Sequence, residues 1–210
     1  KPPIPAIKGF AETLLDGAID DKEHARKFLE TIKNHSERLN SLVSDLLTLS
    51  RMELGDIRIE KHHVHINNII DTVFTTLKDK ADAKGLYLKK FLPPGPLQMY
   101  ADRDKLIQIL LNLVENGVKF TEHGGVTVGI EKADERNILS VEDTGIGIAK
   151  KHLSRLGERF YRVDRARSRE LGGTGLGLAI VKHLVNAHGW TMEIESTQGR
   201  GTMVKIVTTE

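Results

Sequence analysis

Between Phe28 and Leu49 the apolar residues fall at Phe28, Ile32, Leu39, Leu42, Leu46 and Leu49, and with His35 the steps read 4, 3, 4, 3, 4 and 3. This is a heptad seam, and a seam of that length demands a helix with a partner along one side. The residues ahead of it supply one candidate. A helical pattern runs from Ile4 to about Gly17, with proline only near its start. "GAIDD" (Gly17–Asp21) breaks it, and Asp20 or Asp21 can cap a second helix that runs to about Leu54 and stops at Gly55. A lone hairpin leaves such a seam half wet. A second copy closes it into a dimeric four-helix bundle. The competing arrangement packs the hairpin on the domain that follows. The chain does not open on Met, and the helical pattern is already under way at Ile4, Ile7 and Phe10, so residues 1–56 are read as a hairpin domain truncated at its start.

Residues 57–210 alternate instead, and are read as a second domain. "IRIEKHHVHI" reads as strand, "NNIIDTVFTTLKDKADAKG" as helix to Gly85, and "LYLKKFL" and "LQMYA" as strands around a Pro/Gly turn. "DRDKLIQILLNLVENGVKFTE" is a second helix with an Asp cap; "GGVTVGIEKA" and "RNILSVEDT" form a strand pair. A third helix follows Thr174, and "TMEIEST" and "TMVKIVTTE" close the chain as strands around "GRG". The pattern predicts an α+β fold, a mixed sheet with helices on one face.

Composition removes several function classes. The formal net charge of +2 gives no case for a nucleic-acid partner or a membrane surface. The absence of cysteine removes disulfides, thiolate zinc sites and Cys nucleophiles, and fits a reducing compartment. No apolar run approaches a membrane span, and no signal peptide is present.

Three stretches carry candidate chemistry. In "LLNLVENGVKFTEHGG", Asn112 and Asn116 share a helical face with Lys119 close by. Amide oxygens suit Mg²⁺, and an ammonium suits phosphate; the plain alternative is a solvated polar stripe. In "VEDTGIGIAKKH", Asp143 ends a strand beside Gly145 and Gly147. It can accept from an exocyclic amine, with Ile146 and Ile148 as an apolar wall; the alternative is an ordinary turn. In "GGTGLGLAIVKH" (Gly172–His183), glycines abut a helix start. They let backbone N–H groups reach an anion at the positive end of a helix, or they form a flexible loop. "GRGT" (Gly199–Thr202) is a further turn.

The order N-x-x-x-N-x-x-K, D-x-G-x-G, a long loop, G-x-G-x-G opening a helix, then G-x-G-T resembles the sensor histidine kinases of two-component signalling. The matching segments are an N box (Asn112–Thr121), a G1 box (Asp143–Gly147), an F box ("RFYR", Arg159–Arg162), a G2 box (Gly173–Gly177) and a G3-like turn (Gly199–Thr202). The resemblance implies a dimerisation and phosphotransfer hairpin followed by the ATP-binding α/β sandwich shared with DNA gyrase and MutL, the GHKL or Bergerat fold, a mixed sheet under three helices. It implies ATP and Mg²⁺ as cofactors. Asp143 would hold the adenine amine, Asn116 would ligate Mg²⁺, Asn112 and Lys119 would face the phosphates, and Phe120 would lie against the base. Gly173, Gly175 and Gly177 would meet phosphates through the backbone, and Arg162 would contact the γ-phosphate, which makes Arg162 and Lys119 the expected catalytic residues. Gly145, Gly147, Ile148, Thr174, Leu176 and Thr202 complete the expected nucleotide-binding set. The stretch Arg155–Leu171, with six Arg and three acidic residues, would form a lid. The activity implied is ATP-dependent phosphorylation of a His and transfer onward to an Asp on a response-regulator receiver domain, in the cytoplasmic part of a membrane-anchored parent.

The match departs in places. The family's acceptor His lies in an H-E-L-K/R-T-P-like stretch, and "KPPIP" aligns with the end of it, so the acceptor position falls three residues before Lys1. Pro2 stands where many relatives have Thr or Asn, which puts phosphatase activity in doubt, and Gly157 replaces a large apolar residue before "ERFYR". His24 and His35 are poor substitutes as acceptors, one in a first helical turn and the other on the seam. In "HHVH" only His63 and His65 share a strand face, with no third metal ligand. Two other functions compete: an ATP hydrolase of the gyrase or MutL class, and a degenerate nucleotide-binding scaffold. The hydrolase needs a Glu where Asn112 stands, and an amide cannot serve as general base.

Overall fold

The computed structural model describes residues 3–55, 58–133, 136–164 and 173–209. Lys1, Pro2 and much of the expected lid, from Arg165 to Gly172, lie outside them. The described residues divide into two compact units, residues 1–51 with 164–174 and residues 52–163 with 175–210.

In the first unit helix α1 (Pro3–Leu15) leads through Gly17, in a left-handed conformation (φ 116°), and one 3₁₀ turn at Ala18–Asp20 to helix α2 (Lys22–Glu53). Asp21 is the cap: its Oδ1 accepts the backbone N–H of Glu23 (3.1 Å) and of His24 (3.2 Å). Phe28 stacks on Phe10 of α1 with ring centroids 5.3 Å apart. Ile32, His35, Leu39 and Leu42 are half-buried, Leu49 is buried, and Leu46 is 54% exposed. A second exposed apolar edge, Leu29, Val43 and Leu47, lies outside the heptad seam read from the sequence.

The second unit is α+β. Its main sheet has the order β2-β4-β5-β7-β6, from β2 (Tyr87–Phe91), β4 (Gly125–Ala133), β5 (Arg136–Asp143), β6 (Thr191–Thr197) and β7 (Gly201–Thr209). β2 runs parallel to β4 and the remaining neighbours are antiparallel, so the sheet is mixed. Two expectations are corrected. The strand read over "IRIEKHHVHI" shrinks to β1 (His62–His65), because Ile66 already opens helix α3 (Ile66–Asp82). The reason is the period that starts there: Ile66, Ile69, Ile70, Val73, Leu77 and Ala81 are all buried on one face. And β1 does not join the main sheet; it pairs antiparallel with β3 (Gln98–Ala101) as a separate two-stranded sheet.

The core lies between α3, α4 (Arg103–Phe120), α6 (Gly177–Ala187) and the sheet face that carries Val126, Val128, Leu139, Val141, Val204 and Ile206; the short helix α5 (Lys150–Leu153) precedes the F-box segment. Asp102 starts α4, accepting the N–H groups of Asp104 and Lys105 at 3.1 Å on Oδ1 and that of Glu60 at 3.1 Å on Oδ2. Beside it His188, 1% exposed, stacks on Trp190 at 4.2 Å. Its Nδ1 reaches Leu184 O at 2.7 Å and its Nε2 accepts the Asp102 N–H at 3.2 Å, which fixes the neutral ring with hydrogen on Nδ1. Among the described residues no helix is long and apolar enough to cross a membrane.

Candidate functional site

Helix α4 is the organising element. Its apolar residues Leu106, Ile109, Leu110, Leu113, Val114 and Val118 are buried at helical spacing, which leaves Asn112, Asn116, Lys119 and Phe120 half-buried at the margin. The Asn112 amide donates through Nδ2 to Gln108 O (2.9 Å). Its Oδ1 faces Gly177 so closely that a Cβ there would lie 2.6 Å away. The first turn of α6 therefore meets α4 over a glycine. The Asn116 amide makes no hydrogen bond among the described residues, while Lys119 has a partner.

The end of α4 is tied down by a residue that sequence reasoning passed over. Lys84 Nζ donates to the carbonyls of Val118 (2.8 Å), Lys119 (2.9 Å) and Thr121 (3.2 Å). A cation on the terminal carbonyls satisfies acceptors that have no helical partner and complements the negative end of the helix dipole. Gly117 then brings α4 onto the sheet: a Cβ there would lie 2.7 Å from Val126 Cγ2 and 3.3 Å from Asp143 Cβ.

Asp143, the last residue of β5, stands where α4 meets the sheet. Burial raises its carboxyl above the usual carboxylate range, partly opposed by the backbone N–H groups of Gly145 and Thr202. Gly145 N–H donates to Oδ1 at 2.8 Å. A side chain on Gly145 would come within 2.6 Å of Phe120 O and 2.9 Å of both Asp143 Oδ1 and Thr121 Oγ1. The following residues are stitched on both sides. Ile146 N–H donates to Phe120 O (3.2 Å) and Ile146 O accepts from Gly199 N–H (2.7 Å). Ile148 N–H donates to Ser196 Oγ (2.8 Å), whose hydroxyl also lies 2.8 Å from Gly201 O and 2.9 Å from Thr202 Oγ1. Gly147, left-handed at φ 62°, has Thr197 O where a Cβ would be, and Gly201, at φ 98°, has Asp143 O there. Thr202 pairs directly with Asp143 across β5 and β7.

The second unit contains Asn112, Asn116, Lys119, Phe120, Asp143, Gly145, Gly147, Ile148, Thr202, Gly175, Leu176, Gly177 and Arg162; close approaches join Asn112 to Gly177, Phe120 to Gly145, Asp143 to Gly145 and Thr202, and Gly175 to Arg162. Gly175 O accepts the Phe160 N–H (3.0 Å), Leu176 is buried, and α6 begins without a side-chain cap. Gly173 and Thr174 group with the first unit, where Thr174 Oγ1 donates to Asp45 Oδ2 (2.8 Å). Gly157 is left-handed (φ 86°), which accounts for a glycine before "ERFYR". Ser196, Gly117 and Lys84 were not singled out by sequence reasoning. Ser196 gives no signal beyond strand alternation, and Lys84 acts across 34 residues of sequence.

The family model described as Histidine kinase-, DNA gyrase B-, and HSP90-like ATPase matches residues 101–209, and the His Kinase A (phospho-acceptor) domain matches residues 1–55. The chain is 37% identical over 205 residues to Sensor histidine kinase WalK of Bacillus subtilis, covering 96% of this chain and 33% of WalK. It spans about a third of the length of the curated relatives it matches. Among solved structures, full-length ShkA in complex with AMPPNP is similar with a TM-score of 0.75 and 31% identity, over 89% of this chain and 38% of that one. The histidine kinase AdeS of Acinetobacter baumannii shares the fold, with a TM-score of 0.79 at 24% identity over 99% of this chain and 94% of that one. The chain belongs to the histidine kinase-, DNA gyrase B- and HSP90-like ATPase family, and it is a histidine kinase catalytic core, a His Kinase A domain joined to the ATPase domain.

Proposed function

We propose that this chain binds Mg²⁺-ATP in the recess around Asp143 and directs its γ-phosphoryl group to a His, from which a response-regulator Asp receives it. The observation that carries the reading is a half-buried carboxylate at a strand end, packed against Gly117 and Gly145 beside the helix that carries the two amides. ATP supplies the transferable phosphoryl group, and Mg²⁺ neutralises charge on its oxygens. The donor set fits both. Asp143 accepts from the exocyclic amine of adenine, Ile148 and Phe120 flank the base, and Gly145, Gly147 and Thr202 hold the backbone packed around the carboxylate. The free amide of Asn116 offers Mg²⁺ an oxygen, the kind of ligand that this ion prefers. Asn112 and Lys119 face the phosphates, and Arg162 binds the γ-phosphate. Gly175, Leu176 and Gly177 present backbone N–H groups at the start of α6.

The related ShkA was solved with AMPPNP, a triphosphate analogue, which supports the ligand class. Hydrolysis on the gyrase pattern is disfavoured by Asn112, since an amide cannot take a proton from water. We place the boundary between the phosphotransfer hairpin (1–56) and the ATP-binding domain (57–210) near Gly55. The hairpin forms a homodimer through the heptad seam from Phe28 to Leu49, and the parent protein is anchored in a membrane. The metal assignment is tested by titrating ATP into Asn116→Ala with and without Mg²⁺. The expected result is loss of the Mg²⁺-dependent part of the affinity in a folded protein. A variant that keeps all of it returns this helix face to a solvated stripe.

A further inference from the structure

The segment from His152 to Tyr161 folds on itself more tightly than the four-residue helix α5 explains. His152 Nδ1 and the Tyr161 hydroxyl are 2.7 Å apart. The Arg155 guanidinium lies over the Tyr161 ring, 4.1 Å from its centroid, and is itself held by the Glu158 carboxylate at 2.9 and 3.1 Å. The ring is therefore clamped at its hydroxyl and on its face. Just before it stands Phe160, among the described residues the one non-glycine with a left-handed backbone (φ 59°), and its ring is 59% exposed. A bulky aromatic residue takes that conformation only where its surroundings impose it. Two contacts do so here: the Phe160 N–H is bound to Gly175 O at 3.0 Å, and the clamped tyrosine follows immediately. A Cβ on Gly175 would lie 3.2 Å from Phe160 Cα and 3.4 Å from Arg162 Cγ. The reversal at Phe160 thus lays the stem of Arg162 against the glycine that precedes α6.

We propose that the Tyr161 clamp is a positioning device for Arg162. His152 and Arg155 hold the ring, the ring fixes the turn at Phe160, and the turn delivers the guanidinium to the terminal phosphate of a nucleoside triphosphate at the start of α6. The inference rests on the ATP reading above and on Arg162 as the γ-phosphate contact. Tyr161 itself meets no phosphate in this scheme. It acts through the arginine, so its loss should be felt with a triphosphate and not with a diphosphate.

The test is calorimetry of Mg²⁺-ATP and Mg²⁺-ADP on the full chain. Arg162→Ala is the reference, with ATP affinity expected to fall about tenfold and ADP affinity unchanged within about twofold. Tyr161→Phe keeps the ring and removes the hydroxyl; it should weaken ATP about three- to fivefold and spare ADP. His152→Ala, which breaks the same bond from the other side, should give the same selective loss. Tyr161→Phe combined with Arg162→Ala should be no weaker than Arg162→Ala alone, because both changes remove one interaction. The proposal is overturned if Tyr161→Phe weakens both nucleotides equally, leaves both unchanged, or adds to the loss in Arg162→Ala. If Arg162→Ala does not separate ATP from ADP, the γ-phosphate assignment itself falls and takes the clamp's role with it.

Discussion

The two regions of this chain solve the burial problem in opposite ways. In the α/β region the largest fully buried side chains, from Ile66 to Ile206, close one core between helices and sheet. In the helical region Leu15, Leu29, Val43, Leu46 and Leu47 stand exposed on a hairpin whose longer helix runs for 32 residues. Each leucine-sized side chain gains about 1.5–3 kcal/mol on burial, so a helix that leaves a row of them in water is not finished by itself. The difference separates a domain with a closed core of its own from one whose apolar edge stays exposed in a single chain and would be covered in the proposed dimer.

The largest expected effect breaks the hairpin and spares the rest. Leu42→Asp puts a charge on the half-buried seam and should split the dimer or unfold the hairpin. Light scattering should give a dimer for the parent chain and a monomer for the variant, and residues 57–210 alone should remain folded and bind ATP. A parent chain that is monomeric at micromolar concentration would defeat the bundle and leave the ATP site untouched. The next effect lies in the α/β region. Gly117→Leu forces α4 away from Val126 and Asp143, and overpacking of this kind costs about 1–3 kcal/mol or more. Denaturant unfolding of residues 57–210 should show that loss together with weakened ATP binding. Unchanged stability would mean that α4 does not approach the sheet as described.

Much of this was legible in the sequence, and for identifiable reasons. The long helix α2, a cap at Asp20 or Asp21, and α4 were readable because helix periodicity and capping are local signals. The order of the boxes singled out Asp143, Asn112 and the glycines as candidates. What escaped acts across the fold. Lys84 meets α4 through space, and β1 and β3 are strands of four residues whose pairing apart from the main sheet leaves no trace in alternation. The strand expected up to Ile66 failed because β-branched residues at a junction suit both strand and helix, and the buried face of α3 decided.

Smaller effects sharpen the contrast. Lys84→Met removes three hydrogen bonds at the end of α4 and should lower the stability of the α/β region by about 1–2 kcal/mol, with Lys84→Arg closer to the parent. Equal stability of all three proteins in urea would remove the cap from the account. The α/β region should also carry a pH dependence of its own. Burial holds the His188 ring below its ordinary pKa, so the native state favours the neutral form. That contribution is complete above about pH 6.5, the unfolded histidine value, and is lost as pH falls toward the lowered native value. Unfolding of residues 57–210 between pH 7 and pH 5 should show this decline, and His188→Gln should flatten it. An identical slope in the variant would assign the decline to other groups.

Whether the α/β region holds an adenine nucleotide through the half-buried Asp143 carboxylate is decided by calorimetric titration of Mg²⁺-ATP into the parent chain and Asp143→Asn. The substitution keeps the shape and removes the charged acceptor for the adenine amine. The affinity of Asp143→Asn should be lower by at least about tenfold, or about 1.4 kcal/mol, with the fold intact. An Asp143→Asn protein that binds ATP as tightly as the parent would contradict that role of Asp143.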